Sequence, residues 1–345
     1  MILFIDTYGA FLHVADNMFE VRLKKGEETI KRKIAPAKIK SILLSKGISL
    51  STDAINLALT YNIDILFLEF DGTPYGRVWY SKLGSTTKIR KQQLVASITE
   101  EGLNFTKEWI IGKLSNQVEF LKRLKKHRSE KAVMFVNVIN KIETRIKAIS
   151  ELTGKRTEDV AESIRGYEGA AGREYFSLLG KILPQEYRFE TRSYRPARDQ
   201  FNAFLNYAYG VLYSHVEKAL IIAGIDPFVG FLHRDDYNQK SMVFDFIEPY
   251  RIYAEEVVFK LFSAKKVNKK HTDKITGGVS LNKEGKLLLM DSFNKFLEDE
   301  KIIFKNKKQA RQNIIRLQAH AFASRLLKTK FNMQEVEYYD LLGDV

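Results

Sequence analysis

The chain has 345 residues, 45% of them hydrophobic, with a formal charge of +14 and a pI near 9.5. That length supports a sizeable core and predicts two domains rather than one, and the basic charge suits a polyanionic partner, because each neutralised phosphate releases counterions. The absence of cysteine excludes a disulfide framework, a thiolate zinc site and a thiol nucleophile.

The opening "MILFID" has no basic start and meets Asp6 early, so it reads as a buried strand rather than a signal peptide. "ILFID", "AFLHVA", "MFEVRL" and "ETIKRKIA" follow one another at hairpin spacing, which predicts a mostly antiparallel sheet. "KIKSILL" comes next, then "STDAINLALTYN" as a short helix capped by Ser51 or Thr52. The buried strand "IDILFLEF", the turn "DGTPYG" and "RVWY" complete a small β-rich domain over residues 1–83. "LGSTTK" supplies a linker, 84–88, beyond which the apolar period lengthens to that of helices. The fold class is therefore α+β, with an all-α catalytic domain expected over 89–345. Its helices include "TKEWIIGKLSNQVEFLKRLKKH", "EKAVMFVNVINKIETRIKAISEL", "AESIRGYEGAAGREYFSLLGKIL" and a segment from Asp199 to Ala223. Asn202, Asn206 and Ser214 in "QFNAFLNYAYGVLYSHV" argue against a membrane span, and the expected location is the cytoplasm. Two or three further helices follow Arg251.

Three places put polar groups into these apolar patterns. Glu168 lies among Gly166, Gly169 and Gly172; each glycine costs a helix about 1 kcal/mol relative to alanine, so another backbone or a ligand is expected close by. No strand precedes this segment, so it is not a dinucleotide fingerprint. His233 follows the constrained "GIDPFVGFL", and taken singly such a histidine is more often a hydrogen-bonded core residue than a ligand. Asp245 and Glu248 sit three apart inside an apolar run, where helix capping or pairing with Arg251 is the structural alternative to a functional role. One divalent metal would account for all three places, neutralising buried carboxylates and holding a neutral imidazole. An oxygen-rich set without thiolate suits Mg2+ or Mn2+ better than structural zinc. Neither an "HExxH" nor a "GxSxG" motif is present to argue for a zinc peptidase or a serine hydrolase.

The order "GYEGAAGREYF", "RSYRPARDQFNAFLNYAYGVLYSHVEKALIIAGIDPFVGFLH", "DFIEPYR" and "GGVSLNKEGKLLLMDSFNKFL" resembles the CRISPR adaptation integrase family, Cas1, over most of residues 160–325. The resemblance implies that Glu168, His233 and Glu248 bind the catalytic metal and that Asp245 orients or supplements that set. It also implies a helical catalytic domain, a homodimer built partly through the β-rich domains, and assembly with the small Cas2 protein around a short DNA duplex. The implied reaction is strand transfer: a 3′-hydroxyl of the captured DNA attacks a phosphodiester at the leader end of a CRISPR repeat, with related endonuclease activity on branched DNA. Gly172 and Pro249 depart from the usual motif residues without removing a ligand.

DNA has to be held as well. "EYRFETRSYRPAR" interleaves Arg188, Arg192, Arg195 and Arg198 with Tyr187 and Tyr194, a composition suited to phosphates and an unpaired base at a 3′ end. Arg173 and Tyr175 are further candidates. Lys265, Lys266, Lys269 and Lys270 in "SAKKVNKKHTDK" read as a mobile basic loop gripping target DNA, although such runs are usually solvated. The rival readings are a catalytically silent DNA-binding scaffold, a stand-alone transposon integrase of the same superfamily, and a metal-dependent RNase, for which no RNA-binding motif is present.

Overall fold

The computed structural model describes residues 1–25, 28–61, 63–78, 87–233 and 239–329. Eight strands and one helix form the opening region: β1 (Ile2–Ile5), β2 (Phe11–Ala15), β3 (Met18–Lys25), β4 (Glu28–Ile34), β5 (Ser41–Ser45), β6 (Ser49–Leu50), α1 (Thr52–Thr60), β7 (Asp64–Leu68) and β8 (Pro74–Val78). Asp16 and Asn17, both at positive φ, make the tight β2–β3 turn, and the Ser51 hydroxyl caps α1 by accepting from the Ala54 amide at 3.2 Å. β2, β3 and β4 form the expected antiparallel meander. The pairing as a whole is mixed rather than mostly antiparallel, because β1 pairs with β5, β5 with β7 and β2 with β6 in parallel. "ILFID" and "AFLHVA" are therefore not a hairpin; they belong to different sheets, ordered β1-β5-β7-β8 and β4-β3-β2-β6. Hairpin spacing is a misleading guide there, since a strand buried on both faces finds its partner through non-local packing.

The strand alternation divides the apolar residues between two cores. On β5 and β7, Leu43, Leu66 and Leu68 join the core of the helical region, while Ile42, Leu44 and Ile65 pack with α1 and the second sheet. The first sheet is thus the layer against which the helices are built.

The helices are α2 (Thr87–Ser97), α3 (Glu100–Lys125), α4 (Ala132–Glu151), α5 (Ala161–Ile182), α6 (Gln200–Ala223), α7 (Ser241–Phe246), α8 (Arg251–Ser263), α9 (Lys283–Asn294) and α10 (Arg311–Lys328). Residues 84–86 of the expected linker lie outside the described residues, and Thr87 and Lys88 open α2. The buried α6 begins at Asp199, whose carboxylate accepts from the Asn202 amide at 2.8 Å, and it ends at Gly224 with φ 85°. α7, α8 and α10 pack on it. The helical region also holds two hairpins that periodicity does not predict, β9–β10 (Thr272–Ile275, Gly278–Leu281) and β11–β12 (Lys301–Phe304, Lys307–Ala310). Their strands are only four residues long and none of their residues but Leu281 is buried, so they are too short to show an apolar alternation.

A buried ionic network joins the first sheet to α6. Asp64 accepts from Ser41 at 2.7 Å and Lys218 at 2.5 Å, and Arg77 reaches Glu217 at 3.5 Å and the Ser214 carbonyl at 3.1 Å. His215 lies beside this network, and burial, aided by Lys218, pushes its pKa down to about 4. An imidazole lowered in the fold binds its proton first in the unfolded chain, so stability falls as pH drops from about 6.5 towards 4, by about 3 kcal/mol in all. Urea midpoints measured across that window should fall steadily for the wild type, and His215→Gln should flatten the slope.

Candidate active site

The elements around "GFLH" and "DFIEPYR" are pinned to α3 by aromatic packing. Trp109 stacks on Phe231 at 5.7 Å and meets Phe246 edge-on at 5.6 Å, which carries the turn ending in His233 and the end of α7 to the side of α3. Pro249 lies against Gly112, and its carbonyl accepts from the Asn116 amide at 2.8 Å.

Asp245 organises the histidine turn. Its carboxylate accepts from the backbone amides of Phe231 at 2.6 Å, Leu232 at 3.0 Å and His233 at 3.2 Å, and from the His233 ring Nδ1 at 2.6 Å. Three of these partners are backbone donors and the fourth is a ring nitrogen, so the oxygens of Asp245, although only 3% exposed, are fully engaged. With Nδ1 turned to that carboxylate, the ring of His233 is fixed in direction and Nε2 is left for another partner, the arrangement that orients metal-binding histidines. Arg165 adds a 3.0 Å bond to the Leu232 carbonyl.

Glu248 and Glu168 meet around one cation. Lys113 on α3 bonds the Glu168 carboxylate and lies 2.7 Å from Glu248 Oε2, while Arg251 donates to Glu248 Oε1 at 2.8 Å. Burial raises the Glu248 pKa, but Arg251 and Lys113 outweigh it and hold the carboxyl down at about 2. The Arg251 guanidinium in turn lies over the Tyr209 ring at 5.0 Å, and the Tyr209 hydroxyl donates to buried Glu255 at 2.8 Å. Pairing with Arg251, the structural alternative for Glu248, is therefore present.

The structure thus brings Glu168 to Glu248 and His233 to Asp245. Among the described residues, no three His, Asp or Glu side chains are gathered closely enough to hold a metal ion. The donor types nonetheless fit a divalent cation: two carboxylates from separate elements already share a positive charge, and an imidazole stands with its second nitrogen held. Sequence reading misses Lys113. Its signal is that Lys113 and Gln117 occupy buried positions of the α3 stripe between Trp109, Leu114, Val118 and Leu121.

Of the two neighbours expected for the glycines around Glu168, another backbone is not there. A Cβ on Gly166 or Gly172 would meet nothing within 4 Å, so this face of α5 is open. Gly166→Ala should accordingly stabilise the protein by about 0.5–1 kcal/mol in a urea titration, since helix propensity is gained without a clash.

Of the expected DNA-binding residues, Arg173, Arg188, Tyr194, Arg195 and Arg198 are exposed. Tyr175 is not available, being fully buried, and Arg192 is committed to Asn202 and, at 2.7 Å, to Asn206, with its guanidinium over Phe176 and Tyr209. Both residues face inward from segments whose alternate residues face out, a choice that residue type alone does not reveal. Tyr194 and Arg195 line a cleft of about 380 Å3 with Tyr209, Tyr213, Lys240 and Phe244. Tyr213 and Phe244 connect that cleft to the site, through Arg251 and His233 respectively. Lys265, Lys266, Lys269 and Lys270 are exposed, with Lys265 paired to Glu186 at 3.0 Å; the last two open the turn leading into β9.

The sequence pattern of the family described as "CRISPR associated protein Cas1" matches residues 3–295. This chain belongs to the Cas1 family. It is 32% identical over 330 residues to "CRISPR-associated endonuclease Cas1 1" of Archaeoglobus fulgidus, covering 92% of this chain and 94% of that protein. Among solved structures, this Cas1-family chain resembles a casposase bound to its integration product, with TM-score 0.81 at 21% identity over 98% of this chain and 96% of the other. It also resembles a chain of a Cas6-RT-Cas1–Cas2 complex, with TM-score 0.74 at 20% identity over 95% of this chain and 35% of that one. Among the described residues, no helix is long and apolar enough to cross a membrane.

Proposed function

We propose that this Cas1-family chain is a divalent-metal-dependent DNA integrase of CRISPR adaptation, with related endonuclease activity, acting in the cytoplasm as a homodimer with Cas2. The observation that carries this reading is the convergence of Glu168 and Glu248 on one cation, together with a histidine held by Asp245, three residues before Glu248, in a chain of this family. Glu168, His233 and Glu248 would hold Mg2+ or Mn2+. When bound, the ion supplies charge stabilisation at the reacting phosphate.

The chain's own residues position the rest. Asp245 accepts from Nδ1 of His233 and so fixes the orientation of the imidazole. Arg251 and Lys113 keep Glu248 ionised. Tyr194 and Arg195 at the cleft mouth suit an unpaired base and a phosphate, which guides a single-stranded 3′ end towards the open face of α5. In the reaction the 3′-hydroxyl gives up its proton as its oxygen forms a new bond to phosphorus, and the bond to the displaced 3′-oxygen breaks, with that oxygen taking up a proton in exchange. Bond number is conserved, so the task is positioning and charge stabilisation. We assign residues 1–83 to dimerisation and duplex contact, and 89–345 to catalysis.

The test is a joining assay: a short duplex with 3′-hydroxyl ends, a supercoiled plasmid carrying a leader and repeat, Mn2+ or Mg2+, and the protein with and without Cas2. Metal-dependent joining at the leader end supports the reading; tight DNA binding with no joining or cleavage in any condition sinks it and favours the scaffold. Joining that ignores both Cas2 and the repeat would favour a stand-alone integrase. In the same system, changing Lys265, Lys266, Lys269 and Lys270 together to Ala should weaken DNA binding and flatten its dependence on salt, by about 0.9 in the log–log slope for each phosphate the variant no longer neutralises. Unchanged affinity and slope would remove this segment from the DNA path.

A further inference from the structure

Lys113 is 9% exposed on the mostly apolar buried face of α3, and its ammonium joins two carboxylates from different elements, Glu168 of α5 and Glu248 before α8. With Arg251 also on Glu248, the two negative charges are matched by two positive charges of the chain. A buried ion triad of this kind is a poor stabilising device, since apolar groups of similar volume usually do as well or better. Glu168 has no structural need of it: its side chain is 29% exposed on the open face of α5 and water could solvate it. Lysine, moreover, is a point charge on a flexible four-carbon stem, suited to withdrawing where a guanidinium fork would stay fixed.

We propose that Lys113 is a tethered counter-ion that occupies the cation position between Glu168 and Glu248 in the metal-free protein and is displaced when a divalent ion binds. The inference rests on the metal reading of those two carboxylates and adds a competitor within the chain. A divalent ion then meets a site already neutralised instead of one bearing two unmatched charges. Its affinity is held down by the ammonium it displaces, and the carboxylates are never left unpaired in the metal-free state.

The experiment titrates Mn2+ into full-length wild type, Lys113→Gln and Lys113→Arg, following the free-ion electron paramagnetic resonance signal, with melting temperatures recorded in EDTA and in Mn2+. Glutamine keeps donors for both carboxylates without the charge, so that variant is expected to fold, with a lower melting temperature in EDTA. It should bind Mn2+ at least about tenfold more tightly and gain more from Mn2+ than wild type does, whereas Lys113→Arg, which keeps the charge, should not gain affinity. Glu168→Ala must remove the binding in each background. If wild type binds Mn2+ through Glu168 and Lys113→Gln binds equally or more weakly, the counter-ion role is overturned while the metal reading stands. If no background binds Mn2+ in a manner sensitive to Glu168→Ala, the metal reading falls and the inference falls with it.

Discussion

Glu168→Ala is expected to lower Mn2+-dependent strand joining by at least about 100-fold while leaving the melting temperature in EDTA nearly unchanged. The two halves of this expectation have different origins. Glu168 stands on the open side of α5, partly exposed, with Lys113 as its ion-pair partner, so truncation leaves no cavity in the core. Lys113 keeps its 2.7 Å approach to Glu248 and is not stranded. The drop in activity would come from removing one of the oxygen donors on which the cation depends, whereas binding of the DNA duplex, carried by exposed basic groups, should persist. A parallel measurement of joining and of duplex affinity at fixed salt checks both. If joining survives in Glu168→Ala, the carboxylate returns to a structural role.

Asp245→Asn should be the more damaging change to the fold, lowering unfolding free energy by about 2–4 kcal/mol in a urea titration. The substitution is nearly isosteric, so packing is not the cause. Three backbone amides and the His233 ring all donate to this carboxylate, and an amide in its place offers a single acceptor oxygen. At least one donor in this 3% exposed site then faces an NH2 group with no acceptor. Joining should fall as well, by about 10–100-fold, because the imidazole loses the group that sets its tautomer and direction. A variant with wild-type stability and activity would mean that the backbone turn holds His233 without Asp245.

Acid should act on this region too. Because Glu248 is held down at about 2 in the fold, its ion pairs contribute stability above the ordinary carboxylate range, and that contribution is lost as pH falls from about 4.5 towards 2. The His215 effect precedes it on the way down from pH 6.5, so stability is expected to decline over two successive pH ranges.

Where chemistry is local, the sequence alone is sufficient. Ser51 and Asp199 cap their helices where their residue type predicts, Gly224 ends α6, and the Asp16–Asn17 turn joins its strands, because capping and turn geometry depend on a few adjacent residues. The motif order that places Glu168, His233, Asp245 and Glu248 in the Cas1 family is likewise readable. Partnership is not. That β1 lies beside β5 and not beside β2, that the α5 glycines face open space, and that Tyr175 and Arg192 turn inward are outcomes of packing between distant segments. Lys113 is the clearest case: its place in an apolar stripe signals a buried charge, but Glu168 is 55 residues away and Glu248 lies on yet another element. Periodicity fixes which face of a helix is buried, and only the tertiary arrangement decides what that face meets.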